Sequence, residues 1–358
     1  MKEVPTIDKR LELLRGGCSA VGWQTEDGKA LWARNMDFNR MAAGSAPTYL
    51  PKGTVMTAAE GVTAPAKYAA VGMGLLAVPG LPLLYDGVNE AGLMGGQLYF
   101  RGLARYADGP EPGKQPMQPP LLVGWMLSQC ATLDQVAQAL EQAFTLVITP
   151  LLGAVSPLHW SFSDCTGEVM VVESDANGLH IYRNTVGVMT NSPSYDWHRT
   201  NLLNYAAIRD LDYDTVEMGG ERLEQCFSGS GAQGLPGDWS APSRFVRLAY
   251  LRKFAVRGKD EKQGIARLLR IMGSAAFPLG MVRVSQPGEA TELDRNIQPW
   301  DYTIYTVAAC AQTGRFCWTT YDNPAIRSVT LSELEAFDQP MQLPIWEETE
   351  FLPALAQQ

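Results

Sequence analysis

Short apolar runs along the chain gather into clusters, and between the clusters lie longer stretches whose apolar positions recur at helical spacing. The runs CSAVGWQ and ALWARNMDF flank Asp27-Gly28. A D-G pair between apolar runs is a strong hairpin signal, because tight two-residue turns need positive φ. Cys18 is therefore predicted near the start of a strand, with Arg34 and Asp37 returning beside it. LHWSFSD and EVMVVES around Thr166-Gly167 predict a second pair, continued by LHIYRNTVGVMT, and YTIYTVAAC with FCWTTYD across Gln312-Thr313-Gly314 a third. Helical patterns occupy PLLVGWMLSQC, FVRLAYLRKFAVR and EKQGIARLLRIM, and Thr132 with Gln135 forms a capping-box signal opening LDQVAQALEQAF. Strands in groups with helices between them predict stacked layers and argue against alternating βαβ units. The stretches DGPEPGKQPMQPP and GSGAQGLPGDWS are predicted loops. Tyr68 to Tyr85 carries no charge over eighteen residues, but Gly72, Gly74, Pro79, Gly80 and Pro82 argue for a core strand and an apolar loop in place of a membrane helix.

Composition narrows the function. With 358 residues, 46% of them hydrophobic, the chain can bury a large core. A net charge of −9 without a dense Lys/Arg run argues against a nucleic-acid partner. Six cysteines with no C-x-x-C pair, and only three histidines, give no metal site, and no cofactor fingerprint is present. The first seventeen residues, MKEVPTIDKRLELLRGG, lack the apolar stretch of a secretory signal, so a cytoplasmic protein with reduced thiols is expected.

The candidate chemistry centres on Cys18. A thiol is a nucleophile as thiolate, which needs positive charge or a base nearby, and Arg34 is within hairpin reach. Gly16-Gly17 could adopt positive φ and let the sulfur approach the Gly17 carbonyl, favouring self-cleavage. Cleavage would free an α-amino group whose ordinary pKa, about 7.7 to 8, suits a general base at neutral pH. Taken alone, Cys18 reads as a small buried strand residue. Arg34 and Asp37 could likewise be a cross-strand ion pair, Asn191 before Ser192-Pro193 a turn residue, Tyr99 a core aromatic and Arg244 a carbonyl cap.

Cys18 followed sixteen residues later by Arg34-Asn35-Met36-Asp37 resembles the R-N-x-D spacing of the choloylglycine hydrolase, or linear amide C-N hydrolase, family of bile salt hydrolases and penicillin V acylases. YDGVNEAGLMGGQLYF, GVMTNSPSYDWHRTNL, GLPGDWSAPSRFVRLAYLR and DYTIYTVAACAQ extend the resemblance along almost the whole chain after residue 17. It implies an α+β fold, a four-layer αββα sandwich of the N-terminal-nucleophile type, over 18–358, with residues 1–17 a leader that is removed. It implies Cys18 as nucleophile and, through its amine, base. Arg34 and Asp37 would hold that terminus, the Asn191 side chain and the Tyr99 backbone N–H would form the oxyanion hole, and Arg244 would stabilise the charged site. Asp86 and Asn89 fall in the matched segment but are explained as well by a turn role, Trp197 and His198 are read as packing, and the other five cysteines as ordinary thiols.

Tyrosine at position 99 is similar to the penicillin V acylase branch, so penicillin V is the first expected substrate. A conjugated bile salt is the alternative, and N-acyl homoserine lactones, an acyltransferase or an unprocessed acyl-amide binding protein lie further off. No cofactor, no metal, no nucleic acid and no membrane partner are implied. A homotetramer is common in the family.

Overall fold

A computed structural model describes residues 16–76, 78, 80–151, 153–285, 294 and 297–351. The expected leader lies outside the described residues, save Gly16 and Gly17. The D-G hairpin forms as the pattern predicts. Gly17–Gln24 and Ala30–Phe38 pair antiparallel about Gly28, at φ 86°. The register sets Gly17 opposite Asp37, Cys18 opposite Met36 and Ala20 opposite Arg34. Trp300–Cys310 adds on the other side, followed by Arg315–Thr320 and Arg327–Thr330, and Val188–Met189 pairs with the first strand. With short Val282–Arg283 they make a seven-stranded antiparallel sheet among the described residues.

A nine-stranded sheet lies against it. Its order runs Gly178–Tyr182, Val169–Asp175, Leu158–Ser163, Met94–Tyr99, Asp86–Asn89, Ala70–Leu75, Ala46–Leu50 and Met341–Gln342, with Leu83–Leu84 joined to Ala70–Leu75. The facing sides interlock closely. A methyl group added to Gly96 would stand 2.6 Å from the Trp32 ring, whose Nε1–H donates to Ser161 Oγ at 3.2 Å. The helices Ala241–Phe254 and Glu261–Gly273 cover the outer face of the first sheet, burying Phe245, Leu248, Leu268, Ile271 and Met272. Leu122–Gln129 covers the second, held where Asn89 Nδ2–H donates to the carbonyls of Leu127 and Cys130, both at 2.7 Å. The result is the four-layer αββα sandwich expected from the sequence.

The differences from the sequence pattern are local. LHIYRNTVGVMT stays with its neighbours only as far as Tyr182. Asn184, at φ 50°, and Gly187, at φ 78°, break the strand, and the chain crosses from the nine-stranded sheet to the seven-stranded one before Val188. The predicted loop 108–120 contains the strand Gln115–Met117, paired in parallel with Phe144–Leu146. Ala70–Leu75 is a buried strand, as expected, and no helix among the described residues is long and apolar enough to cross a membrane.

Candidate active site

Cys18 enters the space between the sheets almost wholly buried, 1% exposed. Strand alternation turns its sulfur to the same side as Arg34, whose Nη2–H points at Sγ from 3.4 Å. Met36 Sδ stands 4.0 Å from the same sulfur and 3.0 Å from Arg34 Nη2. Burying a guanidinium needs a partner, and Asp86 of the opposite sheet supplies it. Arg34 Nη1–H donates to Asp86 Oδ2 at 2.7 Å and to Tyr305 Oη at 3.0 Å, while Tyr305 O–H donates to the same carboxylate at 3.1 Å. Asp86 is thus no turn residue. The turn role belongs to Asn89, whose Oδ1 accepts from the N–H of Ala91 at 3.1 Å and of Leu93 at 2.9 Å.

On the opposite face of the strand, Arg244 reaches in from the helix Ala241–Phe254. Its Nη1–H groups donate to Cys18 O at 2.6 Å and Ser19 Oγ at 2.7 Å, Nη2–H to Asn191 Oδ1 at 2.8 Å, and Nε–H to Trp239 O at 2.8 Å. Asn191 Oδ1 also accepts from the Cys18 N–H at 2.7 Å, and Asn191 Nδ2 donates to Tyr99 O at 2.9 Å. An amide nitrogen carries two protons, so one remains for another acceptor. Tyr99 ends a strand of the nine-stranded sheet and Asn191 lies two residues past Val188–Met189 of the seven-stranded one, so the site bridges the two.

Asp37 closes the group. Its Oδ1 accepts the Thr303 hydroxyl at 2.5 Å, and Oδ2, 4.0 Å from Arg244 Nη1, accepts no hydrogen bond among the described residues. Burial raises its carboxyl to about 6, with Arg244 opposing. Burial likewise raises the Tyr99 hydroxyl to about 12, and its ring stacks on Phe38 at 5.6 Å. All six residues singled out in the sequence therefore meet at one point, Tyr99 through its backbone. The expected positive φ at Gly17 is absent. Glycine is required there for close approach, since a methyl group would lie 2.7 Å from the Phe277 ring. Sequence reasoning missed Asp86, Ser19, Thr303 and Tyr305. Ser19, Thr303 and Tyr305 lay in runs already marked as strands and Asp86 in a segment marked by resemblance, but nothing local linked any of them to the site.

The described residues contain no cluster of three His, Cys, Asp or Glu able to hold a metal ion. The family profile for linear amide C-N hydrolases, choloylglycine hydrolase family, matches residues 18–341. The chain belongs to this family. Among its relatives, a "Bile salt hydrolase/transferase" of Bifidobacterium longum subsp. longum is 30% identical, covering 89% of this chain and 96% of its own length. A conjugated bile acid hydrolase from Clostridium perfringens, solved in a mutant form, superposes with a TM-score of 0.83 at 27% identity, covering 94% of this chain and 100% of that one. A "Penicillin V acylase" of Pectobacterium atrosepticum is 26% identical over 61% of this chain and 57% of its own length. Linear amide hydrolysis is thus the reaction class. The expectation that put penicillin V first is not favoured, because bile salt hydrolases match more of the chain at higher identity. The physical weakness lay in Tyr99. A position expected to act only through its backbone says little about substrate through its side chain.

Proposed function

We propose that the chain hydrolyses conjugated bile salts, with Cys18 as N-terminal nucleophile after residues 1–17 are removed. The observation that carries this reading is the meeting of Cys18 Sγ with Arg34 Nη2 at 3.4 Å while the Cys18 N–H lies on Asn191 Oδ1 at 2.7 Å. A cation faces the sulfur, and the nitrogen that cleavage would free is already oriented. Asp37 Oδ2, buried and lacking a hydrogen bond among the described residues, suits the ammonium that cleavage creates opposite it.

In this mechanism the Cys18 thiolate attacks the amide carbonyl carbon. The C=O electron pair moves onto oxygen, which is held by the second proton of Asn191 Nδ2 and by the Tyr99 N–H. Collapse breaks the C–N bond, and the Cys18 ammonium passes its proton to the leaving amine. Water, deprotonated by the same amine, then attacks the thioester and releases the acid and the free thiol. Because the amine serves as base, the mechanism needs no histidine.

Bile salt is favoured as substrate by the names and coverage of the relatives. The test offers penicillin V and a glycine-conjugated bile salt together at equal concentration and follows both products by mass spectrometry. Preferential release of glycine is expected. Preferential release of the penicillin nucleus would overturn the substrate assignment and leave the mechanism intact.

A further inference from the structure

Behind the site lies a buried polar cluster that the mechanism above does not use. Glu173 and His159, each 1% exposed, stand in adjacent strands of the nine-stranded sheet, and His159 Nδ1–H donates to Glu173 Oε1 at 3.1 Å. Both Glu173 oxygens also accept the Tyr195 N–H, at 3.0 and 3.1 Å, across to the segment that follows Val188–Met189 of the other sheet. From that segment His198 turns back. Its Nε2–H donates to the backbone carbonyl of Asn191 at 2.8 Å, with the ring stacked on Phe245 at 4.5 Å. His159, in turn, stacks on Phe100, the neighbour of Tyr99, at 4.5 Å.

This placement answers a mechanical need. Tyr99 sits on one sheet and Asn191 just past a strand of the other, and the chain between the sheets crosses through the bend at Asn184 and Gly187. Two donors on separate layers act on one oxyanion only when their separation is fixed, and a misplacement near 1 Å costs about 100-fold in rate. Asn191 itself makes one such link, from Nδ2 to Tyr99 O at 2.9 Å. Its Oδ1 is shared with the Cys18 nitrogen, which changes from amide to amine on processing.

We propose that Glu173 and His198 are positioning residues that hold Asn191 against Tyr99, Glu173 by fixing the Tyr195 N–H to the nine-stranded sheet and His198 by fixing the Asn191 carbonyl. His198 works as a neutral ring, donating from Nε2. Burial lowers it to about 4, and Nδ1 is buried without a hydrogen bond among the described residues. The proposal rests on the oxyanion role given to Asn191, and the experiment separates the two.

Steady-state turnover of the processed enzyme is measured per alkylatable Cys18 for His198→Phe, His198→Gln, Asn191→Ala and the double variant His198→Phe/Asn191→Ala. Phenylalanine keeps the stack on Phe245 and loses the donor, whereas glutamine keeps a donor. His198→Phe is expected to lower kcat about tenfold with KM within about twofold, and His198→Gln to recover most of the loss. In the Asn191→Ala background the same change is expected to cost less than about twofold, since the group it positions is gone. A loss that is equal in both backgrounds, or a His198→Phe enzyme with unchanged kcat, would overturn the positioning role. Unchanged turnover in Asn191→Ala alone would instead remove the oxyanion assignment beneath it. Should His198→Phe fail to fold, Glu173→Met, which keeps side-chain volume and removes the acceptor of the Tyr195 N–H, is read in the same cycle with the same expectations.

Discussion

Two buried arginines flank Cys18, each 2% exposed, and they are satisfied in opposite ways. Arg34 meets a carboxylate at 2.7 Å and a phenol, so its charge is matched within its own cluster, and it faces the sulfur. Arg244 meets two backbone carbonyls, a hydroxyl and an amide oxygen, and its nearest described carboxylate oxygen is 4.0 Å away. A paired guanidinium is a fixed dipole beside the thiol. One held by neutral acceptors keeps its field for what forms nearby, here the Cys18 backbone and the carboxylate of Asp37. Burial of two cations without repulsive collapse requires this division.

The largest expected effect breaks the comparison at its root. Cys18→Ala removes the sulfur that Arg34 faces, and turnover assayed on a glycine-conjugated bile salt is expected to fall to background. Next is the asymmetry between the arginines. Arg34→Leu strands the Asp86 carboxylate in the core and is expected to cost about 3 to 5 kcal/mol in urea unfolding. Arg34→Leu/Asp86→Leu is expected to recover most of that. No single second change should rescue Arg244→Leu, which leaves several neutral acceptors unpaired, and recovery by any one substitution would contradict the division.

Asn191→Ala removes the amide that Arg244 orients. A loss of about 100-fold to 1000-fold in kcat, with little change in KM, is expected from steady-state kinetics.

The smallest effect sharpens the Arg244 side. Asp37 has its folded carboxyl raised to about 6 against 3.8 unfolded. The folded state therefore binds the extra proton. The cost is absent below pH 3.8, grows through the interval and is full above pH 6. In unprocessed Cys18→Ala protein, Asp37→Asn is expected to stabilise the fold by about 2 to 3 kcal/mol at about pH 8 and not at about pH 4, followed by melting at both values. Equal effects at the two pH values would show that Arg244 already neutralises Asp37.

The hairpin that carries Cys18, Arg34 and Asp37 was legible because one D-G turn and a period of two fix its register. Asn191 and Arg244 were legible only through resemblance, since no local pattern brings a loop 173 positions away to the Cys18 nitrogen. Asp86 was misread as a turn residue because its partner lies 52 positions earlier on another sheet. His198 does pack, as the sequence suggested, yet its hydrogen bond to Asn191 O depends on a strand crossing that apolar runs do not encode. Alternation specifies which face a residue takes, while the partner on the facing sheet is set by how whole layers dock.

The most direct test of the central claim is intact-mass spectrometry of purified protein, before and after a rapid acid quench during turnover of a conjugated bile salt. A mass that begins at Cys18, with a transient increment equal to the bile acyl group on the Cys18 peptide, is the predicted result. Turnover by a species that retains residues 1–17 and never carries that increment would contradict it.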